Sequence, residues 1–414
     1  MMKAVIPGCG DGTGGVFPGA AAENVLLQEA QGLNPWLQEI FFRLHRNPEL
    51  GMKEFKTQAL ILEELEKMGV EAAPIADTGV VGLIRGGKPG KTVAFRADMD
   101  ALPITEQTNL PYSSQNPGVM HACGHDAHVT VLLGAAKMLC ARAATMRGNV
   151  KLLFQPAEEG IGGAERMIAD GCMENPHVDA VFFSHCTAEY PAGAIMLRSG
   201  SATASSNPFT VTFRGKGTHG AKPQNGTDSI VAACQTVLAL QTISSRRTSP
   251  TDSVVVTVGT IHGGTTGNVI PETVTLSGTI RTLTPETRAQ VKADFRQIVS
   301  GTAAAMGVEA EIDLVDGYAA TINDEAMTQL VRSTAQTLLG KEHVFPMKTP
   351  TMGSEDFGYY CQKAPGCYYG LGIANAEKGF TYPIHNPHFT VDPEALPYGA
   401  ALYTQIAEDF LAEE

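Results

Sequence analysis

Apolar residues at Val25, Leu26, Trp36, Leu37, Ile40, Phe41 and Leu44 recur with the spacing of one helix face, interrupted at Asn34-Pro35 and ended by Asn47-Pro48. A second amphipathic helix is predicted over 54–68, where Gly69 stops it. Beyond it the apolar residues no longer follow a helical period. Runs over 80–85 and 92–96 read as buried strands, with Gly86-Gly87-Lys88-Pro89-Gly90 between them as a hairpin-like turn. Further strands are predicted at 149–154 and 178–184, and 129–141 is an apolar stretch of helix length. After Gly200 the order becomes strand 209–214, helix 229–244, strand 253–261, strand 273–281, helix 285–306 and strand 309–315. That β-α-β-β-α-β order is the signature of a ferredoxin-like module. Residues 205–318 are therefore read as an inserted α+β domain, with hinge strands at 201–204 and 319–321. The larger domain is α/β, built from 23–204 and 319–414, and closes with a helix beginning near Pro393.

Length agrees with two domains, since 414 residues exceed the ~250–300 at which single cores stop growing. No apolar run approaches the ~20 residues of a membrane span. A net charge of −13 argues against nucleic acid or an anionic membrane surface as partner, and a small anionic substrate would need a local basic group. Eight cysteines without framework spacing read as reduced thiols, which implies a cytoplasmic protein. Residues 1–22, rich in glycine and broken by Pro7 and Pro18, read as a disordered tail rather than a signal peptide.

The chemistry begins at Met120-His121-Ala122-Cys123-Gly124-His125-Asp126-Ala127-His128, which packs three histidines, a cysteine and an aspartate into nine residues. Cys123 and His125 cannot share a helix face, but a turn hinged on Gly124 brings thiolate and imidazole to one point. Sulfur with imidazole suits zinc and its borderline neighbours rather than calcium or magnesium. Three predicted strands then deliver polar groups at their carboxyl ends: Asp98 and Asp100 after 92–96, Glu158-Glu159 after 149–154, and His185 after 178–184. In open α/β sheets ligands bind outside those ends, so the repetition carries more weight than any single motif. Pro383-Ile384-His385-Asn386-Pro387-His388 adds histidines on a proline-constrained loop. A Cys123 nucleophile with His125 or His128 as base is the other class of reading, and it leaves Glu158-Glu159, His185 and His385 unexplained.

Taken together, Phe95-Arg96-Ala97-Asp98-Met99-Asp100-Ala101-Leu102-Pro103, the Cys123 segment, Gln155-Pro156-Ala157-Glu158-Glu159-Gly160, Gly217-Thr218-His219-Gly220-Ala221, Asn268-Val269-Ile270-Pro271 and His385-Asn386-Pro387-His388-Phe389 give the chain a recognisable likeness. It resembles the amidohydrolase branch of the aminoacylase/carboxypeptidase metallopeptidases, which holds N-acyl-amino-acid, hippurate and auxin-conjugate hydrolases. The resemblance implies a catalytic domain with a mostly parallel sheet and an inserted lid through which relatives dimerise. It implies that Cys123, His125, Glu159, His185 and His385 hold two divalent ions (zinc, manganese, nickel or cobalt), with Glu158 as general acid/base and Asp100 orienting the site. In the lid, His219 would act on the substrate carbonyl and Asn268 on its carboxylate, with Arg281 a further carboxylate partner. His219 would serve its own or the neighbouring subunit's site. The implied reaction is hydrolysis of the amide of an N-acyl amino acid, and the alternative on the same machinery is a dipeptidase or carboxypeptidase. Cys186-Thr187-Ala188-Glu189-Tyr190-Pro191 departs from relatives that show an aliphatic residue and a Trp-Pro pair, and Asn207 stands where many have an acid.

Overall fold

A computed structural model describes residues 24–160 and 162–412. The predicted tail over 1–22 lies outside them. Contacts divide the chain into two compact units, one running to Gly200 and taking in Asn323–Lys348 and 359–414, the other Ser201–Ile322 with Thr349–Gly358.

In the first unit the helical face read from the sequence becomes two helices, Val25–Gly32 and Asn34–Arg46. Asn24 caps the first by accepting from the N–H groups of Leu26 and Leu27 at 3.0 and 3.3 Å. Eight strands follow: β1 (Glu71–Ile75), β2 (Gly79–Arg85), β3 (Lys88–Asp98), β4 (Arg147–Gln155), β5 (Ala180–Pro191), β6 (Ile195–Leu197), β7 (Val344–Pro346) and β8 (Gly366–Ala374). They form one sheet in the order β1-β2-β4-β3-β5-β8-β6-β7. The central β4, β3, β5 and β8 are mutually parallel, and β3 is buried from Thr92 to Asp98. That explains its continuous apolar run, since strands of a parallel sheet are covered on both faces. The helix His125–Cys140 is buried along almost its whole length and packs on the Leu396–Ala412 helix. A helix that is apolar all round belongs inside the protein.

Two sequence expectations change here. Strands β2 and β3 do not form a hairpin, because β4 lies between them and pairs antiparallel with β2 and parallel with β3. Residues 88–90 of the predicted turn instead begin β3, and Gly86 N–H donates to Gly148 O in β4 at 2.8 Å. His185 does not follow a strand but lies within one. β5 pairs with β3 only over 180–182 and then continues beside β8, where His185 is opposite Gly370.

The second unit holds strands Asn207–Arg214, Val254–Gly263, Thr273–Thr282 and Glu309–Leu314 and helices Ser229–Leu240 and Pro285–Met306. The first helix is shorter than predicted and gives way to a π-helical turn over Ile243–Arg247. In space the strands run second, third, first, fourth, all antiparallel, around a core of Phe209, Val211, Phe213, Leu276 and Phe295. This is the ferredoxin-like arrangement expected of the insertion. The short segment 349–358, read from sequence as part of the larger domain, belongs to this unit. Thr351 N–H donates to Ala202 O at 3.0 Å, and Ala204 N–H to Gly353 O at 2.9 Å.

Candidate metal centre

Gly124 has φ +89°, a left-handed conformation that costs a glycine nothing, and it starts the His125–Cys140 helix. The turn sets Cys123 and His125 side by side, both buried. Parallel strand ends bring the acids to the same place: Asp98 is in register with Gln155, so the segments running on to Asp100 and to Glu158-Glu159 leave the sheet together. Asp100 then clamps the second segment, accepting from the N–H groups of Glu158 and Glu159 at 3.0 Å each. His385 arrives on its loop with φ +63° and donates its own N–H to Ala122 O at 2.7 Å.

Three sets of ligand atoms, each mutually within 4.8 Å, combine two or more of the five predicted ligands: Cys123, His125 and His185; Cys123, Glu159 and His385; and His125, Glu158 and Glu159. Cys123 is common to the first two. His185 Nδ1 is 2.8 Å from Cys186 O, so its proton sits there and Nε2, 3.5 Å from Cys123 Sγ, keeps a lone pair. His385 Nε2 forms an ion-pair contact with Glu159 Oε1 at 3.1 Å.

The charges call for a cation. Both ring nitrogens of His125 and Oε1 of Glu159 are buried without an aligned hydrogen bond among the described residues. Burial disfavours a charged His125, yet Asp98 and Asp100, at 3.5 and 3.3 Å, outweigh it and raise its pKa to about 10. Burial likewise opposes the Glu159 charge, and His385 and His125 hold its carboxyl below the usual range. A pocket that favours positive charge this strongly, lined by sulfur, imidazole and carboxylate, fits divalent zinc-like ions. Nucleophilic use of Cys123 fits poorly. Burial, then Glu159 and Glu158, push its thiol well above the normal pKa, whereas a reactive cysteine needs a lowered one.

A chain of buried groups braces the centre, and its first member, Arg96, was given no role from the sequence. Arg96, fully buried, donates to Asp98 Oδ2 at 2.8 Å and to Gln155 Oε1 at 2.9 Å, and lies 4.2 Å from the Phe183 ring centre. Asp98 Oδ1 is 2.5 Å from His128 Nδ1, and His128 Nε2 accepts the Cys186 N–H at 2.8 Å. His128 is thus a neutral link between β3 and the residue after His185, and both its nitrogens are engaged, so it is no base for Cys123. Burial, opposed by Asp98, takes its pKa down to about 4. The signal was present in the sequence: Arg96 and Asp98 are charges two apart in the buried part of β3, which puts them on one face. On the other side of the helix start, His45 Nδ1 is 2.6 Å from Asp126 Oδ2 and its Nε2 is 3.3 Å from Glu106 Oε1.

In the second unit a two-stranded ribbon pairs His219 with Val269, and Gly220 N–H donates to Asn268 O at 2.8 Å, which brings His219 and Asn268 together. His219 Nδ1 accepts the Ala221 N–H at 3.0 Å, leaving the neutral ring with a donor at Nε2. Arg281 bonds Thr279 Oγ1 and Ile280 O, and no carboxylate pairs with it among the described residues. It lies eight residues along the Thr273–Thr282 strand, on the order of 25 Å from the end that carries the ribbon. The structure therefore does not bring Arg281 to His219 and Asn268 within one unit. Asn207 is satisfied inside this unit, donating to Val315 O at 3.0 Å and accepting from Arg288 at 3.0 Å.

A family model for peptidase family M20/M25/M40 matches residues 94–409, which include every candidate metal ligand and His219, Asn268 and Arg281. The chain is 40% identical over 393 residues to thermostable carboxypeptidase 1 of Saccharolobus solfataricus, covering 93% of this chain and 98% of that protein. It is 42% identical over 354 residues to the N-acetyl-L-cysteine deacetylase of Bacillus subtilis, covering 85% of this chain and 83% of the relative. Its fold matches the crystal structure of a Bacillus subtilis dinuclear metal-binding peptidase of the M20 family with a TM-score of 0.81 and 32% identity, over 93% of this chain and 99% of the other. With the fold, the charged pocket and the match along three quarters of its length in agreement, this chain belongs to peptidase family M20/M25/M40.

Proposed function

We propose that the chain is a two-metal amidohydrolase that cleaves N-acyl amino acids to a carboxylic acid and the free amino acid. The observation that carries the reading is the convergence of Cys123, His125, Glu159, His185 and His385, with Glu158 within 4.8 Å of ligand atoms and buried. These five side chains would hold the two ions, whether zinc, manganese, nickel or cobalt, with Cys123 common to both groups. Once bound, the ions supply Lewis acidity toward a water and an amide carbonyl. Glu158 takes the proton of that water and returns it to the leaving nitrogen, the work of a general acid/base. Asp100 fixes the backbone of Glu158 and Glu159, and the Arg96-Asp98-His128 chain fixes the segment that carries His185.

The lid supplies recognition in this reading. His219 offers an Nε2 donor to the carbonyl, and Asn268 and Arg281 are the carboxylate donors a chain of net charge −13 requires. The separation of Arg281 from the His219 ribbon favours a homodimer in which a second copy contributes His219 and Asn268. An exposed edge strand, Val254–Gly263, and exposed Ile230, Val231 and Leu238 favour the lid as its interface. The seven free cysteines of the described residues suit a reducing, cytoplasmic setting, and no helix there is long and apolar enough to cross a membrane.

The identity with a carboxypeptidase supports a second reading, in which the same machinery cleaves small peptides with a free C-terminus. A panel of N-acyl amino acids, their C-terminal amides and short peptides separates the two. Wild type should prefer the N-acyl amino acid with a free carboxylate, and Asn268→Ala or Arg281→Ala should erase the preference over the capped amide. Equal cleavage of free and capped substrates by wild type rules out carboxylate recognition, and preference for peptides favours the second reading.

A further inference from the structure

Three consecutive backbone N–H groups beside the candidate centre are taken up by two buried carboxylates. Asp100 holds those of Glu158 and Glu159. The one before them, on Ala157, donates at 2.9 Å to Oε1 of Glu54, 103 residues earlier in the chain. Glu54 is fully buried, and its second oxygen accepts from Thr78 Oγ1 at 2.6 Å. Burying a carboxylate is costly unless its oxygens are hydrogen-bonded, so placing one here ties that cost to the loop it holds.

The loop needs holding. Ala157 has φ +54°, a conformation disfavoured for any residue with a Cβ. Its carbonyl accepts from Gly162 and Gly163 at 3.0 and 3.2 Å, and a Cβ on Gly163 would stand 1.7 Å from Pro156 O, so the loop closes tightly on itself. The sign of φ at Ala157 sets the direction in which the next two residues leave. Relaxation to a negative φ would turn Glu158 and Glu159 away from Cys123 and His125.

We infer that Glu54 is a positioning residue: by holding the Ala157 N–H it keeps this loop in its left-handed turn and so aims Glu158 and Glu159 at the metal centre. The inference rests on the roles proposed above for those two glutamates. Glu54 is none of the proposed ligands or the general acid/base, and the contact through which it acts in this inference is its hydrogen bond to the backbone of Ala157. The Thr78 hydroxyl can donate or accept, so a glutamine at 54 keeps an oxygen for Ala157 and a partner for its amide group.

The test compares full-length wild type, Glu54→Gln and Glu54→Ala. In metal-free protein, hydrogen exchange is followed at the amides of Ala157, Glu158 and Glu159. In manganese-loaded protein, metal retention after dialysis is measured with kcat and KM on the best substrate of an N-acetyl amino acid panel. Glu54→Ala should speed exchange at the three amides, weaken metal retention and lower kcat by about 10–100-fold with KM little changed, the usual scale for residues that orient ligands. Glu54→Gln should stay close to wild type in all readouts. Unchanged exchange in Glu54→Ala, a Glu54→Gln protein as impaired as Glu54→Ala, or a loss confined to KM each overturns the inference. If Glu54→Ala does not fold, Glu54→Asp, whose carboxylate stops one methylene short of Ala157, replaces it in every comparison. A wild type that hydrolyses no N-acetyl amino acid with manganese, zinc, cobalt or nickel sinks the functional reading instead, and the exchange comparison still decides whether Glu54 holds the loop.

Discussion

Glu158 and Glu159 are adjacent in sequence and differ in surroundings. Glu159 faces His385 at 3.1 Å and shares a ligand group with Cys123, while Glu158 is buried beside them. Glu158→Gln should keep its metal and lose about 10²–10⁴-fold in turnover, the contribution of a general acid/base. Glu159→Gln should lower metal content. Elemental analysis and kinetics on the two proteins check this, and the reverse pattern would exchange the roles. His45 makes a pH prediction. Burial works against its charge, but Asp126 and Glu106 raise its pKa to about 9. A group raised in the folded state stabilises most below its unfolded value of 6.5 and loses that contribution as pH rises through about 9. The gap in Tm between metal-free wild type and His45→Gln should therefore be widest near pH 6 and shrink toward pH 9, and a gap that widens over this range would contradict the pairing. Cys123, His125 and Glu159 were legible as residue types in suggestive spacing. The roles of Glu54 and His45 were not, because each depends on a partner 103 or 81 residues away.

At the scale of elements, strands and helices could be read from periodicity, but their neighbours could not. An apolar run says that β2, β3 and β4 are strands; only packing inserts β4 between the other two. In the same way the sequence ended β5 at Ser184, because its apolar run stops there, while pairing with β8 carries it on past His185. The link that matters most runs across elements, from Arg96 through Asp98 and His128 to the backbone of β5. Removing one member of a buried pair leaves the other charge uncompensated, at a cost of about 3–5 kcal/mol. Arg96→Met should lose stability on that scale in denaturant unfolding of the metal-free protein. A change below about 1 kcal/mol would mean the pair is not the brace proposed here.

For the whole molecule, the division into an α/β unit and an inserted ferredoxin-like unit followed from the change of pattern after Gly200. The allegiance of 349–358 did not, since two backbone hydrogen bonds to Ala202 and Ala204 decide it and no periodicity records them. The net charge of −13 argues against polyanionic partners as a class, but it does not say where a small anion would find its donors. Everything proposed for this molecule meets in one dependence: hydrolysis must follow the metal bound by Cys123, His125, Glu159, His185 and His385. The measurement is metal content and N-acyl amino acid turnover on the same samples, through chelation and stepwise re-addition of a divalent ion. Activity should vanish with the metal and return as bound metal approaches two ions per chain, with no acyl group on Cys123 at any stage. Full activity in metal-free protein, or an acyl-Cys123 adduct trapped by mass spectrometry during turnover, would contradict it.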